Sequence, residues 1–211
     1  MLGWHLLFCR IYYDFGEISM IGGMYLTLLS LILSGIANMV FTKTSFYKKH
    51  KYPIDGYRTT KSGIRIFGDN KTWIGFISMI VFSVIFQLLI GFCCELFDLT
   101  IYNDFYKLHQ NTIAYNLLIG FLIGFAYMIC ELPNSFVKRR VNINPGKTIG
   151  GFKGIIFFVI DQIDSLIGVV FVLYYFSSIH IGKCLLYIAL GAITHVSINL
   201  ILLLLKIRRN L

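Results

Sequence analysis

Hydrophobic residues in this chain gather into five long, almost unbroken stretches instead of alternating with polar residues. The stretches cover about residues 20–41, 72–94, 114–130, 155–176 and 184–205. A helix needs about 20 mostly apolar residues to cross a bilayer, whereas the strands of a membrane barrel alternate. The pattern therefore predicts an all-α integral membrane protein with five transmembrane helices.

The composition agrees with this architecture and leaves little room for a soluble domain. The 211 residues are 57% hydrophobic and 14% charged, with a mean hydropathy of +0.74, so we expect a single membrane domain over residues 1–211. Residues 1–19 do not resemble a signal peptide, because Asp14 and Glu17 interrupt them and Arg10 is their only Lys or Arg. We expect a short amphipathic lead-in there. The five cysteines show no metal-ligand spacing.

The net charge of +9 is unevenly distributed and therefore predicts the topology. Basic residues concentrate in the segments 42–71 and 131–154 and in the C-terminal tail, while the other two connections are poor in them. By the positive-inside rule, both basic loops and the C-terminus are cytoplasmic and the N-terminus is outside. The rule also explains the basic residues without any chemistry, so retention signals or contacts with anionic lipids remain alternatives.

The first basic loop ends in a pattern that suits phosphate binding. Gly68-Asp69-Asn70 is typical of a turn, and Lys71-Thr72-Trp73 opens the second span. Backbone N–H groups at a helix start, together with Lys71 and Arg65, are able to hold a phosphate. The alternative is an interfacial tryptophan anchor beside a basic residue.

The third span is followed by Lys138, Arg139 and Arg140, which offer donors for phosphate. A stop-transfer cluster explains these three residues equally well, but it does not explain Glu131, Asn134 and Ser135 at the membrane edge.

Two carboxylates inside the fourth span are the strongest indication of chemistry. Asp161 and Asp164 are three residues apart and fall on one face of a helix, about 9–12 Å from its expected cytoplasmic end. Charges within a membrane are costly and are typically functional. Carboxylates combined with substrate phosphates are a common Mg²⁺ site, so we expect Mg²⁺ here. A structural cluster paired with a neighbouring cation is the alternative.

Together, these motifs resemble the CDP-archaeol synthase family, a five-span relative of the phosphatidate cytidylyltransferases. The matching segments, in the family's order, are Asn38, Pro53–Asp55, Arg65–Trp73, Ser135–Arg140, Pro145–Lys147 and Asp161–Asp164. The resemblance covers most of the chain from Asn38 to Ser165.

The resemblance implies transfer of CMP from CTP to a lipid phosphate with Mg²⁺, forming a CDP-lipid and pyrophosphate in phospholipid biosynthesis. The residues expected to act in catalysis, with the two aspartates holding the metal, are Lys71, Lys138, Arg139, Asp161 and Asp164. The residues expected to bind the nucleotide or its phosphates are Asn38, Arg65, Asp69, Asn70, Thr72, Ser135, Arg140 and Gly146.

The expected partners are CTP, a lipid phosphate and membrane lipids, with no nucleic acid and with the active site facing the cytoplasm. A homodimer stays open, since small-residue faces such as Gly120 and Gly124 are available in the spans. His195 and Asn199 either line the same pocket or form interhelical hydrogen bonds. The competing function is a small cation-coupled transporter or lipid-binding membrane protein; a structural subunit is a third interpretation.

Overall fold

The structure, a computed structural model, describes residues 2–146 and 150–204, with side chains from Met20 onward except Leu202. Lys147 of the predicted phosphate-binding series, Leu205 at the end of the fifth predicted span and the basic tail residues lie outside the described residues.

Six α-helices make up most of the described chain. They are α1 (Leu2–Phe41), α2 (Ser45–His50), α3 (Trp73–Leu96), α4 (Ile113–Arg140), α5 (Gly151–Phe176) and α6 (Ile181–Leu204). Two short 3₁₀ turns, Thr100–Tyr102 and Asp104–Tyr106, lie between α3 and α4. Residues 2–146 and 150–204 contain no β-strand, only two isolated bridges. The prediction of an all-helical protein is confirmed.

Five of the helices are long and apolar enough to cross a membrane, which confirms the predicted number. The spanning segments are Met20–Phe41, Trp73–Leu96, Ile113–Arg140, Gly151–Phe176 and Ile181–Ile201. Helix α1 extends back to Leu2, so the expected lead-in belongs to the same helix as the first span.

The third and fourth spans are longer than the sequence indicated. Helix α4 continues ten residues past the predicted end of its span, through Pro133 to Arg140, and α5 begins at Gly151. The predicted loop 131–154 is therefore reduced to residues 141–150. A proline removes one backbone hydrogen bond, but membrane helices tolerate this where neighbouring groups compensate. Consequently the polar residues after Cys130 lie on a helix.

The helices pack in chain order, with α1 on α3, α3 on α4, α4 on α5 and α5 on α6. Helices α3 and α4 approach closely because Gly120 and Gly124 have no side chains: a Cβ at Gly120 would lie 2.6 Å from Cα of Val84. These glycines are thus used within the chain and do not offer the small-residue face for a second copy that the sequence suggested.

Polar contacts inside the bundle fix the arrangement of α1, α3 and α4. The Ser30 hydroxyl donates to Gln87 Oε1 at 2.7 Å, and Gln87 Nε2 donates to Asn116 Oδ1 at 3.1 Å. Hydrogen bonds of this kind stabilise helix association in lipid, where no water competes.

At the end of the bundle where α6 begins, buried Asp104 joins three elements. Its carboxylate accepts from Tyr187 on α6 and pairs with Lys107 and Lys183, each at 2.6 Å. Its backbone N–H donates to Thr27 on α1 at 2.9 Å. We call this group the Asp104 clasp. It holds α1 and α6 together at this end.

Candidate active site

A cavity of about 560 Å³ opens at the end of the bundle that carries the loop 42–72 and the connection 141–150, called here the basic end. All five spanning helices contribute to its wall. The predicted residues that line it are Asn38, Asn70, Lys71, Thr72, Ser135, Lys138, Arg139, Gly146, Asp161 and Asp164. The structure thus gathers most of the candidate site from segments far apart in sequence.

Asp55 organises the long loop that forms one side of the cavity. Its buried carboxylate accepts from Arg65 Nη2 at 2.7 Å and from the backbone N–H groups of Phe67 and Gly68 at 3.0 and 3.1 Å. Burial by itself raises the pKa of Asp55, but these hydrogen bonds prevail and lower it to about 2. The same pairing raises the pKa of Arg65. The loop is therefore folded around the ion pair between Asp55 and Arg65.

The loop delivers Lys71 and Thr72 to the cavity at the start of α3. Thr72 Oγ1 accepts the N–H of Gly75 at 3.2 Å and caps the helix, and it lies 2.8 Å from the hydroxyl of buried Tyr47. This cap fixes the direction in which the helix begins.

Helix α4 presents four polar residues to the cavity because their spacing places them on one face. They are Glu131, Asn134, Ser135 and Lys138. Glu131 pairs with Lys71, and Lys138 pairs with Asp161 on α5. The α4 face therefore connects the start of α3 with the carboxylates of α5.

Asn134 joins the two carboxylates of α5 to each other. Its Nδ2 group donates to Asp161 Oδ1 at 2.6 Å and to Asp164 Oδ2 at 2.7 Å, while its Oδ1 atom is buried with no partner among the described residues. Asp161 follows the first residue of α5 by ten positions, about 15 Å along the helix, because α5 begins at Gly151, before the predicted span at 155.

Arg139 is the unusual cation of the site. Its side chain is in the cavity wall but only 8% exposed. Within the described chain no carboxylate forms an ion pair with it, and its buried Nη1 has no hydrogen-bond partner. A buried cation without a compensating anion is costly, so this arrangement favours an anionic ligand.

The connection 141–146 lines the cavity at the basic end and packs on the loop 42–72. Ile143 is buried, and Pro145 lies over Gly68, where a Cβ would be 2.7 Å from the proline Cγ. Gly68 has φ +95°, a conformation open mainly to glycine. The two loops thus depend on each other for their position.

Three predicted residues lie outside the cavity lining. Arg65 is held by Asp55 and donates to Asp69 at 2.9 Å, and Arg140 donates to Thr60 Oγ1 at 3.1 Å and to the Arg65 carbonyl at 3.2 Å. These contacts fold the loop and fasten it to α4. The phosphate contacts predicted for Arg65, Asp69 and Arg140 stay predictions.

Several cavity residues were absent from the predicted site. Glu131 and Asn134 were noticed only as unexplained polar residues at a membrane edge, and Asn144 and Gln162 gave no signal of their own. His195 and Asn199 on α6 line the cavity, which was one of the two interpretations offered above. Helical spacing from Lys138 back to Glu131 would have revealed the α4 residues if the helix had been expected to continue.

No group of three or more His, Cys, Asp or Glu side chains able to hold a metal occurs among the described residues. The chemistry of Asp161, Asp164 and the Asn134 oxygen nevertheless suits Mg²⁺, which prefers oxygen ligands and commonly takes part of its shell from substrate phosphates. The residues present therefore fit a metal that binds together with a nucleotide.

Residues 20–210 match the family model described as CarS-like CDP-archaeol synthase. The chain belongs to the CDP-archaeol synthase family. This membership confirms the resemblance inferred from the motifs. Enzymes of this family are CTP-dependent nucleotidyltransferases that form a CDP-lipid, and the transporter alternative gains no support.

Individual relatives agree with this assignment. The chain is 29% identical over 147 residues to the CDP-archaeol synthase of Thermococcus kodakarensis, covering 70% of this chain and 74% of the relative. It is 30% identical over 149 residues to that of Pyrococcus furiosus, covering 71% and 77%.

A solved structure of an intramembrane enzyme for archaeal membrane lipids biosynthesis has the same fold. Its TM-score to this chain is 0.58 at 16% identity, covering 83% of this chain and 92% of the other. At this identity the likeness supports the arrangement of helices. Together with the five apolar helices, this match supports an integral, multi-pass membrane protein.

Proposed function

We propose that this chain, acting as one membrane domain, transfers CMP from CTP to the phosphate of a membrane lipid at the cavity of the basic end. The observation that carries the proposal is the buried Arg139, which has no ion-pair partner among the described residues and lines the same cavity as Lys71, Lys138 and the two carboxylates of α5. A triphosphate supplies the anion that Arg139 lacks.

In the proposed reaction, an oxygen of the lipid phosphate attacks the α-phosphorus of CTP. A new P–O bond forms there, the bond between the α-phosphorus and the oxygen bridging to the β-phosphate breaks, and pyrophosphate leaves with that electron pair. The lipid phosphate is already a nucleophile, so the protein's task is positioning and charge stabilisation. The proposed reaction therefore needs no serine or cysteine nucleophile.

The cations that line the cavity have different tasks in positioning and charge stabilisation. Lys71 and Lys138 neutralise the triphosphate as mobile point charges, and Arg139 offers planar donors. Asn38, Asn70, Thr72, Ser135 and Gly146 orient the nucleotide. Arg65, Asp69 and Arg140 support the site by holding the loop in place.

We propose Mg²⁺ as the cofactor, which Asp161 and Asp164 would hold. When bound, the metal supplies positive charge that stabilises the phosphate oxygens during transfer. Lys138 forms an ion pair with Asp161, so the same carboxylate contacts a cation of the α4 side.

The basic end faces the cytoplasm in this proposal, with the N-terminus outside and the C-terminus inside, because the basic loops follow the positive-inside rule. CTP then enters from the aqueous side. The lipid substrate class is proposed to be an isoprenoid ether phosphate, in line with the names of the relatives, and a diacylglycerol phosphate is the competing substrate.

The test is an assay of purified protein in detergent with Mg²⁺, CTP and each of these lipid phosphates, following pyrophosphate release and the CDP-lipid by mass spectrometry. The expected result is release that requires both CTP and one lipid class and that is lost in Asp161→Asn. Turnover of no lipid phosphate, together with no shift in melting temperature on adding CTP, would overturn the proposal.

A further inference from the structure

The walls of the cavity differ in chemistry. The α4 side carries the cations Lys138 and Arg139, and α5 carries the carboxylates Asp161 and Asp164, whereas α1 and α6 contribute residues without a formal charge. The polar residues that α1 and α6 contribute are Asn38, His195 and Asn199. The triphosphate needs the cations of the α4 side. The surface that α1 and α6 contribute is therefore available to another part of the substrates.

Helices α1 and α6 are the two ends of the series in which the spans pack. At the end away from the cavity they are joined by the Asp104 clasp. Farther along α6, the Tyr25 hydroxyl lies 3.4 Å from Thr194 Oγ1, one residue before His195. Towards the basic end both helices border the cavity, α1 through Gly35, Asn38 and Met39 and α6 through His195 and Asn199.

Gly35 shows that this border is open on the α1 side. A Cβ built at Gly35 would meet no atom within 4 Å, although the residue lines the cavity. By contrast, a Cβ at Gly23 or Gly168 on other packed faces would lie 2.6 Å or less from a neighbouring atom. Space therefore exists beside Gly35 for a group that does not belong to the described chain.

We propose that the lipid phosphate enters the cavity from the bilayer between the basic-end halves of α1 and α6, and that its chains remain in this gap beside Gly35 during transfer. The inference rests on the proposed function and adds where the lipid substrate binds.

The chemistry of the gap fits this occupant. A lipid phosphate must keep its chains in hydrocarbon while its head group reaches the cations on α4. Asn199 and His195 line the cavity with an amide and an imidazole group and are spaced four residues apart on one face of α6. Uncharged groups are suited to the glycerol oxygens next to the phosphate, which carry no charge of their own.

Gly35 also provides a sharp test, because its side of the cavity accepts a side chain without a clash. The test compares the series Gly35→Ala, Gly35→Leu and Gly35→Phe with the same three substitutions at Gly22. Gly22 is on the same helix and also has open space around its Cβ, but it does not line the cavity. Both series replace a glycine of α1 with the same three residues, so they differ only in the position of the substitution.

Kinetics are measured for the purified protein with a long-chain and a short-chain, water-soluble lipid phosphate, and the melting temperature of each variant is recorded. We expect the KM for the long-chain substrate to rise with side-chain size, by about tenfold or more in Gly35→Phe. The KM for CTP and the short-chain reaction should change little, and the Gly22 series should resemble the wild type.

Equal long-chain kinetics in the two series, with the wild type active, would overturn the entry route and leave the proposed function standing. A Gly35→Phe variant that loses CTP affinity as strongly as lipid affinity would also overturn it. A wild-type protein without CTP-dependent turnover would instead remove the proposed function, and the entry route with it.

Discussion

Lys71 forms an ion pair with Glu131 across 60 positions of sequence, and each side chain is only about one-fifth exposed. The pair joins the residue two positions before α3 to Glu131, the first residue of the polar face of α4. It thereby holds the ammonium group of Lys71 at the wall of the cavity, where a triphosphate is proposed to bind.

This pair makes it possible to separate the stabilising role of Lys71 from its role in transfer. Lys71→Met leaves Glu131 without its cation, so we expect a loss of about 1–2 kcal/mol in stability, less than for a fully buried pair. We also expect kcat/KM to fall by about 100-fold or more, because a stabilising charge at the phosphates is lost. Thermal unfolding and pyrophosphate release measure the two effects.

The double variant Lys71→Met with Glu131→Gln is the control. It removes both charges, so most of the lost stability should return while activity stays low. Recovery of activity in the double variant would show that Lys71 acts only as the partner of Glu131.

The contact of Gly68 with Pro145 predicts that a single methyl group disturbs nucleotide binding. Gly68→Ala introduces both an unfavourable φ of +95° and a clash with the proline, so the connection bearing Asn144 and Gly146 must move. We expect the KM for CTP to rise by about tenfold, since misplaced binding groups lose much of their effect.

Gly63→Ala is the matched control for this loop. Gly63 has φ +74°, but a Cβ there would meet nothing within 4 Å, and the residue does not line the cavity. This variant carries the backbone strain without the clash. If both variants raise the KM for CTP equally, strain in the loop explains the effect and the contact with Pro145 does not.

The sequence predicted the number of spans and most of the cavity residues because both depend on local patterns. Continuous apolar runs identify membrane helices, and Asp161 and Asp164 are conspicuous as charges inside such a run. The length of α4 could not be read in the same way, because Glu131 and Pro133 are typical of a helix end. Packing against α5 and the pairing of Glu131 with Lys71 stabilise the helix beyond that point.

The role of Asp55 was also hidden in the sequence. Its partners Arg65, Phe67 and Gly68 are ten to thirteen positions away, and no spacing rule for loops predicts such a pairing. Arg65 was expected to bind a phosphate group of the nucleotide because it is basic and lies near a turn. In the structure, the guanidinium group of Arg65 forms an ion pair with Asp55 of the same loop.

Asp161→Asn and Asp164→Asn test the proposed metal site. Each substitution removes a negative ligand, so we expect a loss of about 100-fold or more in kcat/KM together with a higher Mg²⁺ requirement. Activity is measured over a Mg²⁺ titration at saturating CTP. Asp98→Asn, in the connection between α3 and α4, is the control and should match the wild type; an unchanged Mg²⁺ requirement in both α5 variants would argue against the site.

Acid should destabilise the protein partly through Asp55. Because its pKa is about 2 in the folded protein and 3.8 ordinarily, folding favours the ionised carboxylate. The contribution, about 2 kcal/mol, is complete above pH about 4 and is lost as the pH falls towards 2. Melting temperatures of wild type and Asp55→Asn should therefore converge on acidification, whereas a constant difference would mean that Asp55 does not titrate in this range.

The proposed orientation predicts which loops react with a membrane-impermeant maleimide. Lys61→Cys lies in the basic loop and Leu108→Cys in the connection before α4, and both positions are exposed. In a Cys9→Ser background, intact cells should label Leu108→Cys, and Lys61→Cys should react only after the membrane is opened. Lys61→Cys labelling in intact cells would place the basic end outside. CTP would then have no access to the cavity, and the proposed site of transfer would be wrong.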